Sequence, residues 1–231
     1  MAKNKFFAVG QYQLYRSWQY TVMLGLILLL NIILGIIFKK SGITGGSTDI
    51  ITFIFAPILG MELFRIVFRF SIFNGSSRKT YLLSSMLTIL LTSAFWTVMT
   101  GIIIILSKKF ATNIIIFPMI FSDGLVAMFT WIFAVSLALI CFGWLVSILF
   151  NVLSKNAKLI VMFAGIIIGT IFSLLNVYVD SFSSFTGRMF GLLLGITENF
   201  VSAYLSAVMF LILAAVLVLF NWLLIRRLEI K

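Results

Sequence analysis

Few side chains in this sequence can do acid–base chemistry, and one of them stands inside an apolar run. Glu62 opens the stretch Glu62-Leu63-Phe64-Arg65-Ile66-Val67-Phe68-Arg69, so Glu62, Arg65 and Arg69 fall at i, i+3 and i+7 and share one helix face. That spacing serves one of two purposes. Either an ion pair lowers the cost of burying Glu62 and makes the trio a hinge, or the arginines mark a membrane boundary and snorkel into headgroups. Histidine is absent, which excludes a histidine metal site, a Ser-His relay and a histidine-dependent intramembrane protease. The single cysteine, Cys141, cannot close an internal disulfide, and one thiol with 6 acids does not supply a usual metal-ligand set. No G-x-x-x-x-G-K-[ST] phosphate loop is present, so ATP hydrolysis of that kind would belong to a second polypeptide. The chain is read as a non-enzyme holding no metal or cofactor of its own.

The elements that position these residues are set by the solvent. Of 231 residues 62% are hydrophobic and 10% charged, with a mean hydropathy of +1.21, against roughly 45–50% apolar in soluble domains. A bilayer core ~30 Å thick takes ~20 apolar residues of helix to cross, and each backbone group must find its partner within the protein. Six runs meet that need: Tyr20–Phe38, Ile50–Phe70, Leu82–Leu106, Gly124–Phe150, Leu159–Val179 and Val201–Ile225. The runs are continuous rather than alternating, which excludes a β-barrel. The expected fold is an all-α integral membrane protein of six transmembrane helices. Residues 1–231 form a single domain: 1–19 an interfacial helix, 20–225 the membrane region and 226–231 a basic tail.

Charge gives the orientation. With both termini in the cytoplasm, Lys39, Lys40, Lys108, Lys109 and Arg188 lie outside and the other 12 of 17 basic residues inside, as basic residues distribute in inner membranes. The net charge of +11 is thus a topology signal. No soluble basic face is left for nucleic acid.

Three connectors carry further signals. Lys3–Trp18 reads as an amphipathic helix with Phe7, Leu14 and Trp18 in one arc and Lys5 and Arg16 roughly opposite, lying flat among lipid headgroups as a lever touching a partner or as a topology anchor. Phe73-Asn74-Gly75-Ser76-Ser77-Arg78-Lys79-Thr80-Tyr81 contains an Asn-Gly turn, a serine able to cap a following helix, and two basic residues. The outer connector Asp180–Glu198 is apolar enough to be a re-entrant helix between the fifth and sixth spans, and Gly187, Gly191 and Gly195 repeat every four residues within it. Such a stripe serves close packing inside the molecule, a gate or a subunit interface.

In order of parts the chain resembles the small membrane subunits of ABC-2-type exporters. The local match is Asn74-Gly75-Ser76-Ser77-Arg78-Lys79-Thr80, which is similar to an "NG-x-SRK-T" stretch at this place in small permeases of Gram-positive bacteria. The resemblance implies two membrane subunits, identical or homologous, paired with two ABC ATP-binding subunits that hold the ATP and Mg. It further implies that Asn74, Gly75, Ser76, Ser77, Arg78, Lys79 and Thr80 lie in or beside a coupling helix seated in the ATPase, with Lys3–Trp18 nearby. Membrane lipid is the other expected partner. The aromatic-rich spans point to an apolar or amphipathic cargo, peptide, lipid or drug. Two other functions fit the same residues: an ion-coupled secondary transporter using Glu62, and a non-transport membrane scaffold or immunity protein associating through its glycines.

Overall fold

The computed structural model describes residues 2–38, 47–65, 67–110, 115–197 and 200–227, and among these the protein is all-helical. The helices are α1 (Ala2–Phe38), α2 (Thr48–Arg65), α3 (Val67–Phe73), α4 (Arg78–Phe110), α5 (Phe117–Ile120), α6 (Leu125–Val152), α7 (Lys155–Tyr178), α8 (Asp180–Leu193) and α9 (Ala203–Arg227). Among the described residues, Phe6–Ile37, Arg78–Lys109, Leu125–Asn151 and Ala203–Arg226 are each long and apolar enough to cross a membrane. A fifth crossing is present if Ile167–Tyr178 and Asp180–Leu193, bent by 111° at their junction, count as one span. The protein is therefore a multi-pass membrane protein.

α6 is the axis of the bundle. Its apolar stretch is 67% buried, against 22% for those of α1 and α9, and it packs against α2, α4 and α9. Lipid tails are as apolar as leucine, so helices in a bilayer associate through close backbone approach and polar contacts rather than by expelling water. Both devices are present. A Cβ on Gly60 of α2 would stand 2.1 Å from the Ile140 carbonyl oxygen, and one on Gly143 of α6 would stand 2.0 Å from that of Pro57. The two helices thus meet backbone to backbone, and α2 continues through Pro57 at the contact.

α1 and α4 use the second device. Val9, Gln13, Ser17 and Thr21 recur every four residues and are all buried. The Gln13 amide donates to Ser85 Oγ at 2.6 Å, while its carbonyl oxygen accepts from Thr88 Oγ1 at 3.1 Å and lies 3.4 Å from Ser84 Oγ. Trp96 Nε1 donates to Thr21 Oγ1 at 2.8 Å. This seam runs through a helix that the sequence had divided in two. The amphipathic segment and the first span are one unbroken helix of 37 residues, about 55 Å long at the usual rise. The stripe of Gln13, Ser17 and Thr21, which lies between the Phe7–Trp18 arc and Arg16, is not turned to water but buried, with Gln13 and Thr21 hydrogen-bonded to α4.

Carboxylates fasten the opposite end. Asp49 is buried, and its Oδ2 accepts from the backbone N–H of Ile116 at 2.7 Å and of Phe117 at 3.1 Å. Asp123 Oδ2 accepts from the Ala203 N–H at 2.7 Å and so caps α9.

Candidate functional site

The first turns of α1, all of α3, the start of α4 and the end of α9 gather at one end of the bundle. Ser84 Oγ donates to the Phe6 carbonyl at 3.3 Å, and Tyr12 of α1 stacks on Phe70 of α3 with ring centroids 4.8 Å apart. Arg78 Nη1 donates to the carbonyl of Arg226 at 2.7 Å. A guanidinium there meets the partial negative charge of the α9 C-terminus as well as an acceptor its last turn leaves open.

Between α3 and α4 the backbone reverses by a defined route. Gly75 has φ +70°, its N–H bonds the Ile72 carbonyl at 2.9 Å, and the Ser76 N–H bonds that of Ser71 at 3.0 Å. This pair of bonds ends α3 with glycine in the left-handed position, where a side chain would be strained. Asn74 Nδ2 adds a bond to the Phe70 carbonyl at 2.8 Å. Ser77 Oγ then accepts from the Thr80 N–H at 3.1 Å, and its carbonyl accepts from the Tyr81 N–H at 2.9 Å. Ser77 is therefore the cap of α4, of the two serines the sequence offered.

Asn74–Thr80 is consequently not a helix of its own. Asn74, Gly75, Ser76 and Ser77 form the turn, and Arg78, Lys79 and Thr80 are the first turn of α4. The apex is exposed at Phe73, Asn74, Gly75, Ser77 and Lys79, while Ser76 is buried. Phe73, at 77% exposure, is the most exposed apolar group among the described residues of this end and was not among the residues the sequence singled out. Its signal was available, because an aromatic directly before Asn-Gly must lie at the tip of whatever turn that pair makes.

Glu62 is half-buried. It lines a small crevice, with room for about one water, together with Arg16, Ser17 and Tyr20 of α1 and Leu59 and Leu63 of α2. The side chains of Lys5, Arg65 and Arg69 lie outside the described residues, and with them the expected trio. Phe7 and Trp18 stand outward from α1, with Leu14 at the edge of the same exposed face, and Arg16 hydrogen-bonds Gln19 at 3.3 Å.

The glycine stripe of the outer connector divides. Gly195 has φ +68° and ends α8, its N–H bonding the Leu192 carbonyl at 3.1 Å while the Ile196 N–H bonds that of Gly191 at 2.7 Å. Gly191 and Gly195 thus build a helix terminus, whereas a Cβ on Gly187 would meet nothing within 4 Å. Gly187 and Gly191 also line a wide depression beside Ser184 and Arg188. The four-residue repeat is not one packing surface, since Gly195 lies close against Ser202 and Ser206 while Gly187 does not, and Gly60 and Gly143, where α2 and α6 meet backbone to backbone, lie 83 residues apart in the chain and carry no local signal.

Compared with protein-family models, curated proteins and solved structures, the chain matches none.

Proposed function

We propose that this chain is the membrane subunit of an ATP-driven exporter of the ABC-2 type, lying in the cell membrane with both termini in the cytoplasm. In this reading α1, α2 with α3, α4, α6, α7 and α9 are six spans, and α8 is the re-entrant helix of the outer connector. A separate ATP-binding subunit docks on the end where α1 starts and α9 stops. A second membrane subunit, identical or homologous, completes the path for an apolar or amphipathic cargo.

The observation that carries the reading is Phe73, held 77% exposed at a turn capped on both sides, with Lys79 also exposed in the first turn of α4. An exposed aromatic on a hydrogen-bonded turn with a cation a few residues on is costly in water and suits a partner's cleft. Because Arg78 is tied to the end of α9 and Gln13 links α1 to α4, a push on this turn would reach three helices at once. ATP would drive the cycle by its differential affinity for the closed and open ATPase pair.

The test is affinity purification of the tagged chain from its native cell in mild detergent, followed by mass spectrometry. A stoichiometric ATP-binding protein is expected with the wild type and absent with Phe73→Asp combined with Lys79→Glu. Recovery of intact membrane complexes without any ATP-binding protein would overturn the assignment.

A further inference from the structure

A lateral cleft of about 420 Å³ opens between α4 and α9, with α6 as its floor. Met86 and Leu90 form one wall, Leu211, Ala215 and Leu219 the other, and Cys141 lies at the bottom. Among the described residues that line it there is no hydroxyl, amide or charged side chain. Polar ligands therefore find no partner here, and what fills the cleft must be apolar.

Leu211 to Leu219 spans about 12 Å of helix, and an apolar groove of that length accommodates a stretch of hydrocarbon chain. What selects a lipid over other apolar occupants is the charge at one end of the groove.

The two walls also lead to a common basic end. α4 begins with Arg78 and Lys79 and α9 finishes with Arg226 and Arg227, and Arg78 Nη1 on the Arg226 carbonyl holds those ends together. Met86 lies about 12 Å along α4 from Arg78, and Leu219 about 10 Å along α9 from Arg226. One leaflet of hydrocarbon is about 15 Å thick, so a lipid whose headgroup rests at the basic end reaches the cleft with the middle and end of an acyl chain. Arg78 spends one of its five N–H donors on Arg226 and keeps others for a phosphate.

We propose that this cleft and the basic residues below it form a binding site for one anionic phospholipid of the surrounding bilayer. The lipid would wedge between α4 and α9, bracing the contact that Arg78 makes. Basic pockets between spans are general anchors for acidic headgroups, and here the acyl cleft adds depth selection to charge. The site does not depend on the exporter reading.

The full chain is purified from nanodiscs containing equal amounts of phosphatidylglycerol and phosphatidylcholine with the same acyl chains, and retained lipid is counted by native mass spectrometry. One phosphatidylglycerol per chain is expected, retained about tenfold over phosphatidylcholine, a ratio worth about 1.4 kcal/mol. Ala215→Trp fills the cleft from an exposed position, and Met86→Trp does so from the opposite wall. Each should reduce retention of both lipids at least fivefold while the thermal midpoint stays within a few degrees. Lys79→Gln with Arg226→Gln should leave binding but abolish the preference. Equal retention of the two lipids by the wild type, or full retention by both tryptophan variants, would overturn the site. So would a wild-type dimer that Ala215→Trp dissociates in lipid-free detergent, which would give the cleft to a second copy.

Discussion

Arg78 and Arg226 are 148 positions apart, and the guanidinium of the first donates to the main-chain carbonyl of the second at 2.7 Å. The bond joins the start of α4 to the end of α9 at the surface proposed to meet an ATPase. It gives Arg78 a structural duty before any partner arrives, and leaves Lys79 and Phe73 as the groups turned outward.

Arg78→Ala should therefore act on coupling more than on stability. The exposed contact with the end of α9 is worth about 0.3–1 kcal/mol. A small drop in thermal midpoint in detergent is expected, together with a several-fold loss of transport per ATP hydrolysed. Unchanged coupling with Arg78→Ala would remove the mechanical role of the α4–α9 tie.

Gly60→Ala and Gly143→Ala should each destabilise the bundle, because the new methyl lands about 2 Å from a carbonyl oxygen of the facing helix. Overpacking of that kind costs ~1–3 kcal/mol. Gly187→Ala, with nothing within 4 Å, should be neutral. Equilibrium unfolding in mixed micelles measures all three, and equal behaviour would mean that α2 and α6 do not meet as described.

Asp123→Ala removes the cap of α9 and should cost ~1 kcal/mol. Asp49→Asn should cost more, about 1.5–3 kcal/mol, since a buried charge that accepts two backbone N–H groups is replaced by a neutral amide. Because both acids are engaged in backbone caps, neither substitution should alter the dependence of transport on a pH gradient.

Glu62→Gln separates the exporter from an ion-coupled carrier. ATP-driven transport should persist with its pH dependence unchanged, since Glu62 sits in a crevice sized for one water rather than on an open ion path. Loss of proton-dependent flux in vesicles without ATP would favour the carrier.

What the sequence revealed depended on whether the determining interaction was local. α4, α6 and α9 were legible because uninterrupted apolar runs have one outcome in a bilayer, and the turn at Asn74-Gly75 and a serine cap, at Ser76 or Ser77, were legible because each acts within four residues. That α1 runs through Tyr20 without a break was not legible, for the opposite reason. Gln13 and Thr21 look like residues for water, yet their partners are Ser85, Thr88 and Trp96 across the bundle. The contact of Gly60 with α6 was likewise hidden, since only the assembled helices show what a side chain there would strike. Gly195 does two things at once: it is an ordinary helix stop after the last apolar turn of α8, and it packs closely inside the molecule, where a Cβ would stand 2.2 Å from the Ser202 carbonyl oxygen.

The most direct measurement is photo-cross-linking from the turn in native membranes, with benzoylphenylalanine placed at Phe73 and, as a control, at Leu83, which is also exposed but lies along the α4 span. An adduct with an ATP-binding protein from position 73 and only lipid adducts from position 83 are expected. Lipid adducts alone from position 73 would place the turn in the bilayer and contradict its role as the docking point for an ATPase.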